Sequence, residues 1–469
     1  MKNTLKFITG LLVLCISANS WGNQLNEKGK ISGKYVGNIN NKEIYLSKAE
    51  HGKLTRLVAA EVKENGAFNF AYETDKPGIY VISVVDSSTK KTIKGSYYNL
   101  KRFYLDSGAD IKIELQDESY KLLNSNKEND LLTEWNQTID TSYVYTRLGS
   151  HHTYEDFFPF LPSIVKKAAR FKKKITTGDP QFDELLKLLV DSEIKCTNLG
   201  FLYSMRTKHP TKDTYPVYYK EVLEDNSPWS ERILELPFGI ELGRLGSMYK
   251  LINLDGGYPK GMRKIDELYN LFQSKLLCGY LALHTAKRYQ GYDEEYMAFK
   301  EKVTPYLLND YLKKKLETME VPLKAFAIGA KAIDFVGTDL NGADHKLSDY
   351  KGKLVYIDFW ATWCGPCKAE IPALKTLEKK YHGEDIVFMS VSFDKDKDYQ
   401  KWENFVLKEA LKGVQIKVSD RVHSEISKAY KISGIPRFML FNKDGTVITV
   451  DAPRPSDDKK INDLLNKYL

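Results

Sequence analysis

The spacing of apolar and polar positions changes character twice along this chain. Between about residues 25 and 120, short apolar runs are punctuated by turn residues at close intervals. Runs at 30–36, 43–47, 54–62, 67–72, 78–85, 97–105 and 110–115 predict strands, with turns at Asn40-Asn41, Asn65-Gly66 and Lys76-Pro77-Gly78. This is the pattern of a small all-β sandwich. Between about 121 and 320 the spacing becomes helical. Leu131, Leu132, Trp135 and Ile139 form one stripe, Leu185, Leu186, Leu188, Leu189 and Ile194 a second, and Ile265, Leu268, Leu271, Phe272 and Leu276 a third. Pro159 and Pro162 are expected to break one of these helices, and Pro210, Pro216 and Pro228 mark a looser connection. The helical pattern is expected to stop near Val321-Pro322.

The remainder, 325–469, alternates between strand and helix. A hairpin over 333–338 and 344–347 turns at Asn341-Gly342. The apolar run 353–359 predicts a buried central strand, followed by an amphipathic helix from Lys368 to Lys380. Further strands are expected at 385–393 and 414–418, and a pair at 437–442 and 446–450 across Asp444-Gly445. Helices are expected at 399–411, 425–430 and 459–469. The predicted fold class is therefore multidomain: an N-terminal all-β sandwich, a central all-α region and a C-terminal α/β domain with a mixed sheet between helices.

Length and composition narrow the function. The 469 residues suit two to four domains. The net charge of +8 is modest, and its lysines interleave with acids as on a solvated surface. No basic stripe suggests a nucleic-acid partner. The adjacent pair His151-His152 points to different helix faces, which argues against a shared metal. At the N-terminus, Lys2 and Lys6 precede an apolar stretch over 7–16 and the small residues of Ser17-Ala18-Asn19-Ser20. That order predicts a secretory signal peptide over 1–20, cut after Ser20, and hence export to the periplasm. Lipid attachment at Cys15 is the alternative, disfavoured because Leu14 is not small. No second hydrophobic span predicts an integral membrane segment. Of the five cysteines, cleavage leaves Cys196, Cys278, Cys364 and Cys367. Export permits disulfides; Cys196 and Cys278 are either two buried thiols or a structural bridge.

The candidate chemistry lies in Trp363-Cys364-Gly365-Pro366-Cys367, where the central strand turns into a helix. A helix start aims free N–H groups and the positive dipole end at the first sulfur, favouring its thiolate, which is the reacting species. Zinc binding would need two more ligands, and His382 and His423 stand alone. A purely structural bridge closing so short a loop contributes little. In the redox reading, Cys364 is the exposed attacking thiolate. Cys367, nearly one turn inside and shielded, resolves the mixed disulfide. Pro366 fits a first helical turn, whereas Pro372 is expected to kink the helix. Asp358 points into an apolar environment beneath the cysteines, so its pKa should be raised, suiting it to exchange a proton with Cys367. Glu370, three residues after Cys367 on the same helix side, is either a second proton handler or a plain surface glutamate.

Asp358-Phe359-Trp360-Ala361, Trp363 to Cys367 with Pro372, Tyr430 to Pro436, and Asp444-Gly445-Thr446-Val447 resemble thioredoxin. The resemblance covers the C-terminal third. It implies a thioredoxin-like fold, a cis peptide before Pro436 beside the disulfide, and a client-binding surface at Trp363, Ile435 and Pro436. Ile435 would offer its backbone to an extended client. The leading hairpin with 348–353, and the helix and strand inserted between Phe393 and Ser419, resemble the TlpA/ResA branch of exported thioredoxin-like proteins, in which the glutamate matching Glu370 is functional. Ile31-Ser32-Gly33 and 65–70 are similar to the upstream regions of multidomain TlpA-like proteins of Bacteroidetes. Two departures stand out. Ser390 occupies the place of the lysine that usually partners the buried aspartate. Ile357 and Ala361 occupy the places of the proline and threonine that peroxiredoxins need, which disfavours a peroxidase.

The expectation is an exported thiol–disulfide oxidoreductase that reduces disulfide-containing client proteins, requires no cofactor and draws electrons from a membrane thiol donor, as the resemblance implies. A partner-specific maturation protein with an accessory redox domain and a disulfide isomerase are the competing readings.

Overall fold

The computed structural model describes residues 29–469 apart from 74–75, 87–90, 93–100, 107, 118, 147–149, 205–207, 225–228 and 255–263. The expected signal peptide, Cys15, Pro228 and the first part of the strand expected at 97–105 lie outside the described residues. The chain divides into two compact units, one of residues 1–209 with 235–238, the other of 210–234 with 239–469. The central helical region is accordingly shared between them.

The first unit begins with β1 (Gly29–Tyr35), β2 (Lys42–Glu50), β3 (Lys53–Glu61), β4 (Ala67–Tyr72), β5 (Gly78–Asp86), β6 (Lys91–Thr92), β7 (Lys101–Leu105), β8 (Asp110–Leu115) and β9 (Tyr120–Leu122). One sheet has the order β4-β1-β8-β9; the other runs β3-β2-β5-β6, with β7 also paired to β5. The turn at Asn40-Asn41 therefore carries the chain from one sheet to the other. Alternating inward residues of both sheets, including Ile31, Leu46, Phe68, Phe70, Ile82, Phe103 and Ile113, fill one core. Gly33 is required where β1 meets β8, because an added Cβ would lie 2.1 Å from the Ile113 carbonyl oxygen.

Three helices follow in the same unit: α1 (Lys127–Thr146), α2 (Tyr154–Lys172) and α3 (Pro180–Tyr203). β7 is buried on both faces because α1 packs against its outer side. Asn129 of α1 accepts from the Tyr104 N–H at 2.8 Å and donates to its carbonyl at 3.0 Å. Arg102 of β7 donates to both carboxylate oxygens of Glu193 on α3 at 2.9 Å and to Asn136 at 2.7 Å, all buried. Contrary to expectation, α2 runs unbroken through Pro159 and Pro162. Both prolines face solvent, so water can satisfy the carbonyls they free, while Phe157, Leu161, Ile164 and Ala168 hold the buried face and a Thr153–Asp156 capping box closes the start.

The second unit contains α4 (Val217–Glu224), α5 (Gly239–Leu254), α6 (Lys264–Phe272), α7 (Lys275–Thr285), α8 (Glu294–Val303) and α9 (Asp310–Lys324). Cys278 is a buried thiol in α7, whereas Cys196 of α3 is half-buried. The helical pattern does not stop at Pro322. α9 continues to Lys324, its last turn held by buried Leu323, and Phe326 then enters the core of the following sheet. That sheet comprises β10 (Val336–Asp339), β11 (Asp344–Lys346), β12 (Leu354–Trp360), β13 (Ile386–Ser392), β14 (Val414–Lys417), β15 (Arg437–Phe441) and β16 (Val447–Thr449), in the order β11-β10-β14-β13-β12-β15-β16. β12, β13 and β14 are parallel; β15 is antiparallel to β12. Helices α10 (Gly365–Lys380), α11 (Tyr399–Glu409), α12 (Asp420–Ala429) and α13 (Asp458–Tyr468) complete it. α12 starts earlier than the expected 425 because Ser419 caps it, accepting from the Val422 N–H at 3.3 Å. The helical part is tied to the sheet by Asp293, the N-cap of α8, which accepts from Thr449 Oγ1 at 2.8 Å, and by a Lys467–Glu294 ion pair.

Glu193 is buried, and although Trp135 Nε1 (2.8 Å) and Tyr143 Oη also donate to it, these neutral donors do not balance its charge if Arg102 is lost. Arg102→Ala should therefore destabilise the first unit by about 3–5 kcal/mol, seen in urea unfolding followed by circular dichroism, whereas replacing both Arg102 and Glu193 with apolar residues of similar volume should recover only part of the loss, because Trp135 and Tyr143 then lose their acceptor.

Candidate functional site

All seven residues of β12 are buried, and their alternation sorts them between two cores. Val355, Ile357 and Phe359 pack with Met389, Val391 and Met439. Leu354 and Tyr356 pack on the other face with Leu374 and Leu377 of α10. Trp360 ends that second face and packs against Cys364, Cys367, Trp402 and Val406. The strand then releases the chain through Ala361, Thr362 and Trp363 into α10.

Cys364 is the N-cap of α10, and Pro366 sits in its first turn. The Cys367 N–H points at Cys364 Sγ across 3.2 Å, so the first sulfur takes the acceptor place that an N-cap oxygen usually fills. The two cysteines form a disulfide with Cα atoms 5.3 Å apart. The Ile435-Pro436 peptide is cis, and the Ile435 carbonyl oxygen lies 3.8 Å from Cys364 Sγ. Gly434 is exposed, Ile435 and Pro436 half-buried, and Trp363 is 67 % exposed. The contrast expected between the cysteines needs correction. Cys364 is not exposed: it retains 4 % of its surface, Cys367 3 %. In the oxidised pair each sulfur covers the other, and the cis-proline loop covers Cys364. Its position at the helix start, rather than its exposure, sets Cys364 apart.

Asp358 lies on the α10-facing side of β12, between Tyr356 and Trp360. It is buried, and its Oδ1 has no hydrogen-bond partner among the described residues. Burial first, and then the neighbouring Glu370 and Glu378, push its pKa up to about 8. Its parallel-strand neighbour is Ser390, so no lysine stands at that register. Glu370 shares the buried face of α10 with Cys367, Leu374 and Leu377, which overturns the surface-glutamate alternative. Its Oε2 accepts from the Ser456 N–H at 3.0 Å and its Oε1 from Ser456 Oγ at 2.9 Å; Arg454 stands 3.6 Å away. Pro372 lies within α10, which continues through it to Lys380.

Sequence reasoning missed the residues that hold this site together. Buried Asp394, just beyond β13, accepts from the Thr362 N–H at 2.9 Å, from Thr362 Oγ1 at 2.7 Å and from Ser392 Oγ at 2.8 Å, pinning the loop that leads to Cys364. Its signal was an acid at the carboxyl end of a parallel strand, where ligand-facing residues gather in α/β sheets. Arg437, next after the cis proline, pairs with Asp451 at 2.9 Å. Ser456 gives no local signal, because its partner is 86 residues away. Among the described residues no cluster of His, Cys, Asp and Glu has the makings of a metal site.

A disulfide at a helix N-cap, fed by a central parallel strand and faced by a cis X–Pro bond, defines a thioredoxin-like redox fold. Comparison with known proteins agrees. Residues 327–466 match the Redoxin family. The chain is 37 % identical over 125 residues to the thiol-disulfide oxidoreductase ResA of Geobacillus kaustophilus, covering 26 % of this chain and 68 % of that protein. It is 38 % identical over 121 residues to ResA of Bacillus thuringiensis, with coverage of 26 % and 67 %. Among solved structures, the thioredoxin domain of a thiol-disulfide oxidoreductase from Bacteroides vulgatus is 25 % identical and covers 30 % of this chain and 99 % of that one, with a TM-score of 0.28. The chain belongs to the ResA family of thiol–disulfide oxidoreductases, within the thioredoxin superfamily.

The raised Asp358 carboxyl has a consequence for stability. The folded state holds this proton up to about pH 8, whereas an unfolded chain releases it near 3.8. Between those values the folded state binds more protons, so stability falls as pH rises, by at most about 1.4 kcal/mol per pH unit. Asp358→Asn should remove that slope, leaving the variant more stable than the parent near pH 8 in urea titrations of the oxidised protein.

Proposed function

We propose that this protein is an exported reductase of protein disulfides, working in the periplasm through the Cys364–Cys367 dithiol. The observation that carries the reading is the Cys364–Cys367 disulfide at the start of α10, beside the cis Ile435-Pro436 bond. In the reduced protein, the Cys364 thiolate attacks one sulfur of a client disulfide. A mixed disulfide forms, and the first client sulfur leaves and is protonated. Cys367 then gives up its proton, for which the Asp358 carboxylate is the acceptor, and attacks Cys364 Sγ. The Cys364–Cys367 bond forms, the second client sulfur leaves, and two electrons have passed to the client. A dithiol donor at the membrane returns two electrons to the pair. Among the described residues no helix is long and apolar enough to cross a membrane.

Trp363, Ile435 and Pro436 form the receiving surface in this reading. The large exposed indole offers apolar area, and the half-buried proline loop offers backbone to an extended chain. The reducing direction is supported by Gly365-Pro366 between the cysteines, the dipeptide of thioredoxin, whose potential is about −270 mV against about −120 mV for the oxidant DsbA.

Cys364→Ser should abolish insulin reduction, and full activity in that variant would remove Cys364 as the nucleophile. Cys367→Ser should accumulate mixed disulfides with clients. Their identification after non-reducing electrophoresis distinguishes a general reductase, with many clients, from a dedicated maturation factor, with one. A potential for the Cys364–Cys367 couple near −270 mV rather than −120 mV, measured against glutathione, would support the reducing direction.

A further inference from the structure

The cis-proline loop is backed by a chain of hydrogen bonds that starts in the helical region of the same unit. Asp293, the N-cap of α8, uses both of its carboxylate oxygens. Oδ1 accepts from the Tyr296 N–H at 3.0 Å and caps the helix, while Oδ2 accepts from Thr449 Oγ1 of β16 at 2.8 Å. The Thr449 oxygen in turn accepts from the Asp451 N–H at 3.1 Å. The Asp451 carboxylate accepts from Arg437 Nη1 at 2.9 Å, and Arg437 directly follows the cis Pro436. The helix end of this chain is firm. Tyr296 is fully buried and donates to Glu320 of α9 at 3.1 Å; Glu320 is buried too, and is met by Lys300 at 2.7 Å and Lys324 at 3.1 Å. The Lys467–Glu294 ion pair fastens the same turn to α13. Just before it, the backbone at Gly291 lies so close to Val450 that an added Cβ would stand 3.3 Å from Val450 Cγ2.

We propose that Asp293 is a positioning residue for client binding: through Thr449 and Asp451 it fixes Arg437, and with it the cis-proline loop that receives the client. The inference rests on the thiol–disulfide reading above and on its client surface at Trp363, Ile435 and Pro436. Gly434, Ile435 and Pro436 lie outside the sheet ladder, which begins at Arg437 paired with Phe359. Arg437 is therefore the point at which loop becomes strand, and its buried guanidinium is held by the Asp451 carboxylate. The Thr449 hydroxyl sets that carboxylate, because its oxygen takes the Asp451 N–H while its hydrogen goes to Asp293. A loop held in its binding shape loses less freedom when a client docks, so each bond behind it adds to affinity. The chain of bonds reaches the loop away from the proton chemistry. Phe438, not Arg437, stands opposite Asp358, and neighbours along a strand point to opposite faces. Loosening the chain should thus weaken client binding and leave the sulfur chemistry alone.

The test is steady-state reduction of insulin by the full chain, with dithiothreitol as electron source and insulin varied, beside the rate at which the reduced protein attacks the small substrate hydroxyethyl disulfide. Thr449→Val removes the hydroxyl and keeps the shape. It should raise KM for insulin by roughly two- to tenfold, the worth of one hydrogen bond, with kcat and the small-disulfide rate as in the parent. Asp293→Ser, which still caps α8 but is too short to reach Thr449, should give the same rise. The double variant should rise no further, since both changes break one bond, and Thr449→Ser, which keeps the hydroxyl, should restore the parent KM. A KM unmoved in Thr449→Val, rises in the single variants that multiply in the double, or a loss shared equally by insulin and the small disulfide overturns the proposal. If Thr449→Val misfolds, Asp293→Ser decides alone on the same readouts. Turnover that survives in Cys364→Ser would instead strike at the thiol–disulfide reading itself.

Discussion

A strand with no face left to water governs this molecule. β12 pairs along its whole length with β13 and antiparallel with β15, and its two faces feed two different cores. A slip of one residue would exchange Ile357 with Asp358 between those cores and drive a carboxyl into the wrong one. The register is therefore fixed by burial, and with it the height at which the chain leaves the sheet. Everything chemical follows from that height: Trp360 against the disulfide, Cys364 at the first turn of α10, and Asp358 one inward step below.

The polar groups around the disulfide show what it takes to keep charge in such a place. Asp394, Glu370 and Arg437 are all buried, and each is met by a partner from another segment: Thr362, Ser456 and Asp451 respectively. Asp358 is the exception, with an oxygen left unpaired among the described residues. A satisfied carboxylate stays ionised, whereas a buried one without donors keeps its proton. Asp358, with one oxygen unmet, is accordingly pushed up in pKa by its burial.

Much of this was legible in the chain. Strong alternation at 67–72 and 110–115 gave those strand limits correctly, and the apolar run before Trp363-Cys364 marked the central strand. The cysteine pair, the raised carboxyl of Asp358 and the cis bond before Pro436 followed from local spacing or from the thioredoxin resemblance, whereas the burial of Glu370 was left open. The failures have a shared cause. Pro159 and Pro162 look like helix breakers when only their own hydrogen bonds are counted, but packing of the flanking apolar residues outweighs the missing bonds on a wet face. Cys364 looked exposed because a reacting thiolate must be reachable, whereas in the disulfide it is covered by Cys367 and by a loop 71 residues away. Ser456 and Asp394 were invisible for the same reason: pairings across long sequence separations leave no periodicity to read.

The two indoles flanking the disulfide have an optical consequence. Trp360 packs against both cysteines in the interior, and Trp363 adjoins Cys364 in solvent. A disulfide bond quenches the fluorescence of a nearby indole, and a dithiol does so less. Emission from these two tryptophans should therefore brighten as the pair is reduced, the buried Trp360 at shorter wavelength than the wetted Trp363. The protein carries a built-in gauge of its own oxidation state, readable without any label.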